Sequence, residues 1–494
     1  MPELQLPING NPYENVDQMQ LGDSSPMLRD GYVDELGHTH KRPGLTATTQ
    51  GGGATWSTTY PIQGLFFDQR LKLLFNFQRS VSTVGSSYLA RMTESVGGTY
   101  PFSQNRIELG GEQRVIETNN GTYHVFANGM KPVYTDLSTV DGTTGIIGSI
   151  LADTDTPSQC SHVAFLDNYI IANELGTGRF WWCDVGDVES WNALNFATAE
   201  GKPDNIVALM SKWREILLLG TESAEIWHND GVTPFIRTEG AFIERGSNAP
   251  YTLTSENDTY QWLDEKRNFI TVTGRTPAVV SQPVYSVLQG YAKTDDAYSV
   301  PINIAGHDWI LLNFPTGNDT LVYRPSDKTW HGHWGRWDKT NGVYHRWVAN
   351  CYCYAEPWGK HFIGGIEGYG KVYELSPTTY TDDGDEIRTL RRTGFVDHGT
   401  YRRKRSKQVT IKCKMGQGSY SSTTPYLLVR WRDDGGSVWS NERMVDLKQL
   451  GSTEFYAVLY NTGIYRSRQW EIVMSDAVPL ILCGATEEVE LLVS

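Results

Sequence analysis

The chain has 494 residues, of which 39% are hydrophobic, 12% aromatic and 20% charged, and 49 are glycine. Abundant glycine and aromatic residues with modest charge are typical of short strands joined by tight turns, and they argue against a helical bundle, a coiled coil or a disordered chain. The formal net charge of −14 excludes a global electrostatic clamp on nucleic acid, which needs the opposite sign.

Targeting and membrane signals are expected to be absent. Residues 1–7 have neither the basic start nor the apolar run of a secretory signal. No apolar run approaches the ~18 residues of a membrane helix, so we expect no membrane insertion. The six cysteines are scattered over a long chain, which predicts free thiols in a reducing cytoplasm rather than a disulfide framework.

One hairpin pattern recurs along the chain from residue 68. It consists of a polar turn, four or five apolar residues, a Gly or Asn turn and a second strand rich in aromatic residues. Successive copies are anchored at Asp68, Asn120, Asp167, Arg214, Lys266, His307 and Gly359, with spacings of 41 to 52 residues. Because a hairpin-containing period of roughly 40–50 residues is typical of propeller blades, the sequence predicts an all-β fold with a β-propeller of about six to seven blades. An irregular set of sandwiches with evenly spaced hairpins is the alternative.

The chain divides into three predicted domains. Residues 1–55 lie outside the repeat and are rich in proline, which predicts an extended N-terminal arm. Residues 56–390 form the predicted propeller. Beyond the acidic segment 378–385, several strands alternate hydrophobic and polar residues with period two, which predicts a C-terminal β-sandwich-like domain over residues 391–494.

A group of histidines and cysteines is the candidate for a metal site. His331, His333 and His345 precede Cys351 and Cys353, and residues two apart on a strand share one face. Neither pair recurs at a zinc-ribbon spacing, and five tryptophans occupy the same segment. The favoured interpretation is an aromatic blade interior, and we predict no metal.

Two further features are candidates for binding. Residues 433–439 (DDGGSVW) resemble the Asp-box turn of sialidase propellers, but they occur once and outside the repeat, which favours a tight structural hairpin over a glycan site. The only dense basic run contains Arg402, Arg403, Lys404, Arg405 and Lys407. It is either a solvated strand edge, where cations deter edge-to-edge pairing, or a contact with an acidic neighbouring subunit or with phosphate.

Enzyme motifs are missing from the sequence. It contains no Gly-x-Ser-x-Gly elbow, no phosphate loop of the Gly-x-x-x-x-Gly-Lys form and no His-Glu-x-x-His. Its adjacent carboxylates are typical of turns. We therefore predict no catalytic residue, no cofactor and no enzymatic activity.

Several short segments together resemble one protein family. They are residues 30–35 (DGYVDE), 41–45 (KRPGL), 179–182 (RFWW), 202–204 (KPD), 213–227 (WREILLLGTESAEIW), 246–250 (GSNAP) and 430–443 (RWRDDGGSVWSNER). Through them the chain resembles the packaged-DNA stabilisation proteins of short-tailed bacteriophages (podoviruses), which are also called tail accessory, tail nozzle or tail hub proteins. The resemblance spans nearly the whole chain as scattered short motifs.

The resemblance implies a structural protein of the phage virion. Such proteins assemble in the host cytoplasm as a sixfold ring, a hexamer, below the portal and its adaptor ring. They retain packaged double-stranded DNA and conduct it during ejection, without sequence-specific binding. Tailspike, tail fibre, needle or plug proteins are the further implied partners. This chain is longer than some relatives, which leaves its contacts with tailspikes open.

Two other functions stay open at this stage. A propeller hydrolase acting on envelope polysaccharide predicts arginines or carboxylates clustered at the propeller mouth. A receptor- or glycan-binding propeller predicts exposed aromatic loops on one face. The missing signal sequence disfavours both if the protein is a secreted cellular one.

Overall fold

The computed structural model describes residues 3–13, 26–50, 58–79, 87–95, 99–100, 102–111, 113–136, 148–150, 155–199, 201–232, 234–256, 258–414, 425–447 and 454–492. These residues are mainly in β-strands. They also form one short helix, α1 (Tyr285–Gly290), and 3-10 turns at Pro250–Thr252, Gln282–Val284 and Glu356–Trp358. In this part of the chain no helix has the length and apolar character needed to cross a bilayer.

Short strands begin the chain and belong to several different sheets. They are β1 (Glu3–Leu6), β2 (Met27–Arg29), β3 (Gly31–Val33), β4 (Thr39–Lys41), β5 (Gly44–Ala47) and β6 (Thr49–Gln50).

Five four-stranded antiparallel sheets follow in chain order, and we call them units 1 to 5. Unit 1 contains β7 (Ile62–Asp68), β8 (Leu73–Arg79), β9 (Ser87–Met92) and β11 (Phe102–Leu109), while β10 (Thr99–Tyr100) pairs with β6. Unit 2 contains β12 (Ile116–Asn119), β13 (Tyr123–Ala127), β14 (Val133–Asp136) and β15 (Gly148–Ile150). Unit 3 contains β16 (Val163–Leu166), β17 (Tyr169–Asn173), β18 (Arg179–Asp184) and β19 (Asp187–Thr198). Unit 4 contains β20 (Ile206–Lys212), β21 (Glu215–Gly220), β22 (Ala224–His228) and β23 (Ile236–Ile243). Unit 5 contains β24 (Thr254–Glu256), β25 (Thr259–Leu263), β26 (Phe269–Thr273) and β27 (Thr276–Val279).

Two further four-stranded units are parts of larger sheets. Unit 6 contains β28 (Tyr298–Ile304), β29 (His307–Phe314), β30 (Asp319–Arg324) and β31 (Thr329–His333). The hairpin of β32 (Gly335–Asp338) and β33 (Val343–Arg346) precedes unit 7. Unit 7 contains β34 (Ala349–Ala355), β35 (Lys360–Gly365) and β36 (Val372–Ser376), and its fourth strand is β5 from the N-terminal segment.

Tight turns explain why the apolar runs pair as hairpins. Asp167 and Asn168 join β16 to β17 with φ of 47° and 69°, and Trp213 and Arg214 join β20 to β21 with φ of 50° and 60°. Two central residues with positive φ are the feature of the type I′ turn, whose twist matches that of the paired strands. The hairpins predicted at Asp167 and Arg214 are thus present.

Hydrophobic clusters lie between every pair of consecutive units, including unit 7 and unit 1. Each cluster contains residues from both of the units that it joins. In order from units 1 and 2 to units 7 and 1, examples are Phe77 with Phe126, Val125 with Ile170, Ile171 with Leu218, Leu217 with Trp262, Phe269 with Tyr323, Leu311 with Ile363 and Phe362 with Leu74. Each unit therefore buries its faces against its two neighbours, and the units close into a ring. This arrangement confirms the predicted β-propeller.

One anchor of the predicted repeat is out of phase. Lys266 lies between β25 and β26, in the second hairpin of unit 5, whereas the neighbouring anchors lie in first hairpins. The first hairpin of unit 5 turns at Asp258, which has a φ of 58°. Its first strand, β24, has only three residues, so it carries no apolar run that the sequence pattern could detect.

The N-terminal segment closes the ring and does not stay outside it. β5 pairs antiparallel with β36, with Leu45 opposite Leu375, and so completes unit 7. β2 lies between β31 of unit 6 and a strand of the C-terminal region. This differs from the extended arm expected over residues 1–55, because strand pairing between residues more than 300 positions apart leaves no local sequence pattern. The boundary predicted at residue 55 lies outside the described residues.

A buried ion cluster fixes this segment to the ring. Arg42, which is fully buried, donates from Nε to Asp30 Oδ1 at 2.7 Å and from Nη1 to Asp382 Oδ1 at 2.9 Å. It also donates to the carbonyl oxygen of Gly335 at 2.8 Å, and its guanidinium lies 5.1 Å from the ring centre of Trp347. One cation therefore joins two buried carboxylates from distant parts of the chain.

The C-terminal region is a two-layer sandwich. Its strands are β37 (Thr381–Asp382), β38 (Asp385–Glu386), β39 (Thr389–Arg392), β40 (Lys404–Lys414), β41 (Tyr426–Asp433), β42 (Arg443–Asp446), β43 (Phe455–Tyr465), β44 (Arg468–Met474) and β45 (Ile481–Leu491), although β37 and β38 extend the sheet of unit 7. One layer has the order β3-β4-β45-β40-β43, with β1 also paired to β45. The other has the order β39-β44-β41-β42. Residues such as Ile411, Leu427 and Trp470 form the core between the layers.

The sandwich and the propeller share a sheet. A nine-stranded sheet runs from β28, the first strand of unit 6, through β31, β2 and β39 to β42 at the far side of the sandwich. The two parts of the chain are thus joined by strand pairing as well as by the covalent chain.

Candidate functional site

The centre of the ring is crossed by side chains. Tyr251, in the connection between units 4 and 5, donates its hydroxyl to Gln113 Oε1 at 2.7 Å. Gln113 lies in the connection between units 1 and 2, on the other side of the ring. His162, just before unit 3, stacks on the Tyr251 ring with centroids 5.1 Å apart. These contacts join units that are not neighbours, so they span the ring axis.

A second set of polar contacts fills the same region. The Arg114 guanidinium lies 4.0 Å from the ring centre of Tyr298 and donates from Nη1 to Asn350 Oδ1 at 2.8 Å. Asn350 in turn donates to the carbonyl oxygen of Ile62 at 2.6 Å, and Arg346 donates to the Tyr298 hydroxyl at 2.8 Å. A DNA duplex, whose major groove alone is about 12 Å wide, does not pass through a centre bridged at these distances.

The residues that meet at the ring axis could not be identified from the sequence. Tyr251 and Gln113 are 138 positions apart and belong to no motif. Only the ring topology brings them together, because the connections between units converge on the axis.

Two buried histidines, His124 on β13 and His162 just before unit 3, have opposite electrostatic environments. Burial lowers the pKa of His162 to about 3, so the ring is neutral at pH 7. Burial also lowers the pKa of His124, but its contacts with Glu117 at 2.6 Å and Asp68 at 2.9 Å outweigh this effect and raise the pKa above its usual value.

We expect His124→Gln and His162→Gln to change the pH dependence of stability in opposite directions. His124 binds its proton more tightly in the folded chain. Its contribution to the free energy of unfolding is therefore complete below pH ~6.5 and is lost as the pH rises through the raised pKa. His162 resists protonation, so its contribution is lost as pH falls below ~6.5. Thermal unfolding from pH 5 to pH 9 measures the difference in stability between each variant and the wild type. For His124→Gln this difference should become smaller as the pH rises, and for His162→Gln it should become smaller as the pH falls. Differences that shrink in the same direction would contradict the assignment.

The basic run lies at the start of β40. This strand pairs with β43 on one side and β45 on the other, so it is not the strand edge that one interpretation of the run required. Arg402 and Arg403 are exposed, and Arg405 and Lys407 lie 3.5 Å and 3.3 Å from Glu490.

Lys404 differs from the rest of the run because its side chain is buried. Its Nζ donates to the carbonyl oxygens of Thr400 and Arg402 at 2.5 Å and 3.0 Å, and burial lowers its pKa. The residue therefore holds the chain before β40 and is unavailable to a partner, which corrects its place among the predicted contact residues. The i to i+2 alternation of a strand explains the difference.

The histidines and cysteines considered for a metal have separate partners. His331 accepts the backbone N–H of Val33 at 3.1 Å, and His333 lies 2.8 Å from Asp319. His345 lies 2.9 Å from Asn318. Within the described ranges, no three His, Cys, Asp or Glu side chains are placed to hold a metal ion. Cys351 and Cys353 are free thiols, and burial raises the pKa of each to about 12.

The segment that resembles an Asp-box connects β41 to β42. Asp434 has a φ of 53° and accepts the backbone N–H groups of Arg466 and Ser467 at 2.8 Å and 2.9 Å. Trp439 lies 4.9 Å and 4.7 Å from the guanidinium groups of Arg430 and Arg432. The carboxylate and the indole both serve to hold the loop against the sheet.

Comparison with known proteins identifies the propeller. A family model described as "Bacteriophage P22 Gp10, beta-propeller" matches residues 37–380, which is more than half of the chain. No curated protein has a significant match to this sequence.

Two solved structures match part of the chain. The computationally designed Ika8 protein is 11% identical, covers 67% of this chain and 99% of its own, and has a TM-score of 0.38. An auxiliary nutrient binding protein from Bacteroides thetaiotaomicron is 8% identical, covers 68% of this chain and 75% of its own, and has a TM-score of 0.35. Likeness at this level carries no information on function. The match over residues 37–380 does, and the chain belongs to the bacteriophage P22 Gp10 family of β-propeller proteins, a family of phage structural proteins.

Proposed function

We propose that this chain is a tail protein of a short-tailed phage and forms a ring of copies, a hexamer, below the portal and its adaptor ring. In this position it retains packaged DNA and conducts it during ejection. It is a structural component rather than an enzyme, and it assembles in the host cytoplasm. Its further partners are tailspike, tail fibre or needle proteins.

Family membership supports the virion role, and the filled axis supports a ring of copies. Contacts such as Tyr251 with Gln113 at 2.7 Å cross the centre of the propeller. Double-stranded DNA therefore needs a channel outside each propeller. Several copies arranged head to tail around that channel provide it, since heterologous contacts form a ring when the rotation between copies closes.

The proposed mechanism depends on a stiff wall with low affinity for DNA. A closed ring of packed sheets gives the wall its stiffness. The net charge of −14 repels phosphates and keeps the duplex from adhering while it moves. Retention under pressure then needs a constriction or plug rather than attraction to DNA.

Negative-stain imaging of the purified chain, alone and mixed with its portal–adaptor complex, tests this function. We expect a sixfold tube that appears on the adaptor or is strengthened by it. The adaptor complex without the chain, and the chain mixed with an unrelated ring protein, are the controls. A persistent monomer that ignores the adaptor would overturn the proposal and would lead next to glycan and receptor binding assays.

A further inference from the structure

One end of the sandwich carries a concentration of positive charge in an acidic protein. We call it the basic surface, and it consists of Arg402, Arg403, Arg405, Lys407 and Arg466. Arg405 and Lys407 share a single carboxylate, Glu490. Arg402 and Arg403 have no carboxylate within ion-pair distance among the described residues, so the surface keeps an excess of cations.

Exposed apolar side chains lie beside these cations. Tyr401 is 76% exposed, Ile464 44% and Leu491 46%. They adjoin the basic surface directly, because Ile464 is the register partner of Arg405 and the Tyr401 carbonyl accepts Arg466 Nη1 at 3.0 Å. Apolar and aromatic groups next to arginines are the composition of a protein interface.

The propeller carries a hairpin of opposite charge. We call the turn between β18 and β19 and the start of β19, residues 184–194, the acidic hairpin. Asp184, Asp187 and Glu189 are exposed there, beside Val185 at 61% and Leu194 at 81% exposure.

Among the described residues, the carboxylates of the acidic hairpin have only neutral partners. Asp184 accepts the Ser190 hydroxyl at 2.7 Å, Asp187 accepts the Glu189 N–H at 3.0 Å, and Glu189 accepts the Tyr134 hydroxyl at 2.6 Å. In the part of the chain that the structure describes, no lysine or arginine forms an ion pair with these three side chains.

We propose that the basic surface of one copy docks on the acidic hairpin of the next copy. The inference rests on the proposed ring and names its contact surfaces. The two patches carry opposite charge and each has exposed apolar residues, yet no ion pair joins them within one chain in the described ranges. The two patches are different surfaces, so repeated docking of one on the other builds a head-to-tail series of copies, which forms a ring when the rotation between copies closes.

DNA phosphate is the other partner that fits arginines. The exposed Tyr401, Ile464 and Leu491 favour a protein partner, because phosphate offers apolar groups nothing to pack against. A chain of net charge −14 also gains little from gripping the DNA that it must release.

Charge reversal in the full-length protein tests the docking. The basic-reversed variant carries Arg402→Glu and Arg403→Glu, and the acid-reversed variant carries Asp187→Lys and Glu189→Lys. The control, Lys328→Glu with Lys339→Glu, changes the net charge as the basic-reversed variant does but at exposed turns elsewhere. Circular dichroism and thermal unfolding establish that every variant is folded.

Sedimentation velocity then measures self-association at low salt, with and without the portal–adaptor complex. We expect each reversed variant alone to associate about tenfold more weakly or worse, because like charges meet at the contact. An equimolar mixture of the two should recover association, since each reversed patch then meets a complementary one. The control should associate like the wild type.

The outcomes separate this inference from the proposed function. If rings form but neither reversal weakens them, or if the mixture of folded variants fails to recover, the surfaces are wrong and the ring stands. If the wild type forms no ring with or without the portal–adaptor complex, the proposed function fails and this inference fails with it. Duplex DNA binding that is lost in the basic-reversed variant, with self-association unchanged, assigns the surface to phosphate instead.

Discussion

Arg42→Ala is expected to destabilise the folded chain by about 3–5 kcal/mol, the usual cost of removing one partner from a buried ion pair. Asp30 and Asp382 are 1% and 7% exposed, and both depend on the same guanidinium. Its removal leaves two buried carboxylates without a cation and the carbonyl of Gly335 without its donor. Urea denaturation followed by tryptophan fluorescence measures the loss, and Trp347, which lies 5.1 Å from the guanidinium, reports on the site.

Lys371→Ala is the matched control. Lys371 pairs at 2.9 Å with Asp383, which lies next to Asp382 in the hairpin of β37 and β38. Unlike the Arg42 cluster, these two side chains are 35% and 33% exposed. Exposed pairs contribute about 0–1 kcal/mol, so this variant should stay close to wild type. Equal losses in the two variants would mean that the buried cluster does not hold the N-terminal segment.

Leu45→Ala should cost about 2–5 kcal/mol, as expected for truncating a buried leucine in a packed core. Leu45 is 1% exposed and lies on β5, opposite Leu375 of unit 7. Its side chain belongs to the cluster between units 6 and 7. The cavity therefore opens where the N-terminal strand completes the ring, and limited proteolysis should release the N-terminal segment before the rest of the propeller.

Leu36→Ala is the control for Leu45→Ala, because it truncates a leucine of the same N-terminal segment that is exposed rather than buried. Leu36 is 77% exposed, so its truncation should change stability by no more than about 0.5 kcal/mol. If Leu45→Ala were as mild as Leu36→Ala, β5 would be an accessory to unit 7 and not its closing strand.

Local patterns predicted the hairpins because their causes are local. Around residues 213 and 214, two apolar runs (residues 206–210 and 216–219) flank a short segment that contains two lysine or arginine residues, and this pattern specifies a hairpin even though neither turn residue is Asn or Gly. The pattern was misleading at Lys266, since the three-residue strand β24 is too short to show an apolar run. The spacing of the hairpin repeat thus predicts units whose strands are long enough to carry apolar runs, and it fails where the first strand of a unit is short.

Long-range pairing was out of reach of the sequence. Arg42 and Asp382 are 340 positions apart, and no spacing rule connects them. One of the segments that carried the family resemblance, residues 41–45, nevertheless overlaps β5, the strand that closes the ring. The resemblance marked this segment, and only the structure gives the physical reason.

The basic run illustrates a different limit. Charge alone could not separate Lys404, which is buried, from Arg403, which is exposed, because the two are adjacent in sequence. The alternation of side chains along the strand decides which of the two is buried. The phase of that alternation depends on the residue at which β40 begins.

The shared nine-stranded sheet has a mechanical consequence. Load applied to the sandwich reaches unit 6 through ladders of backbone hydrogen bonds. The narrowest step on that path is between β2 and β31, where Arg29 and His333 are the one pair in register and the Asp30 N–H donates to the His333 carbonyl at 2.8 Å. We therefore expect a pulling force to open the backbone ladder at this step before it opens the longer ladders within the sheet.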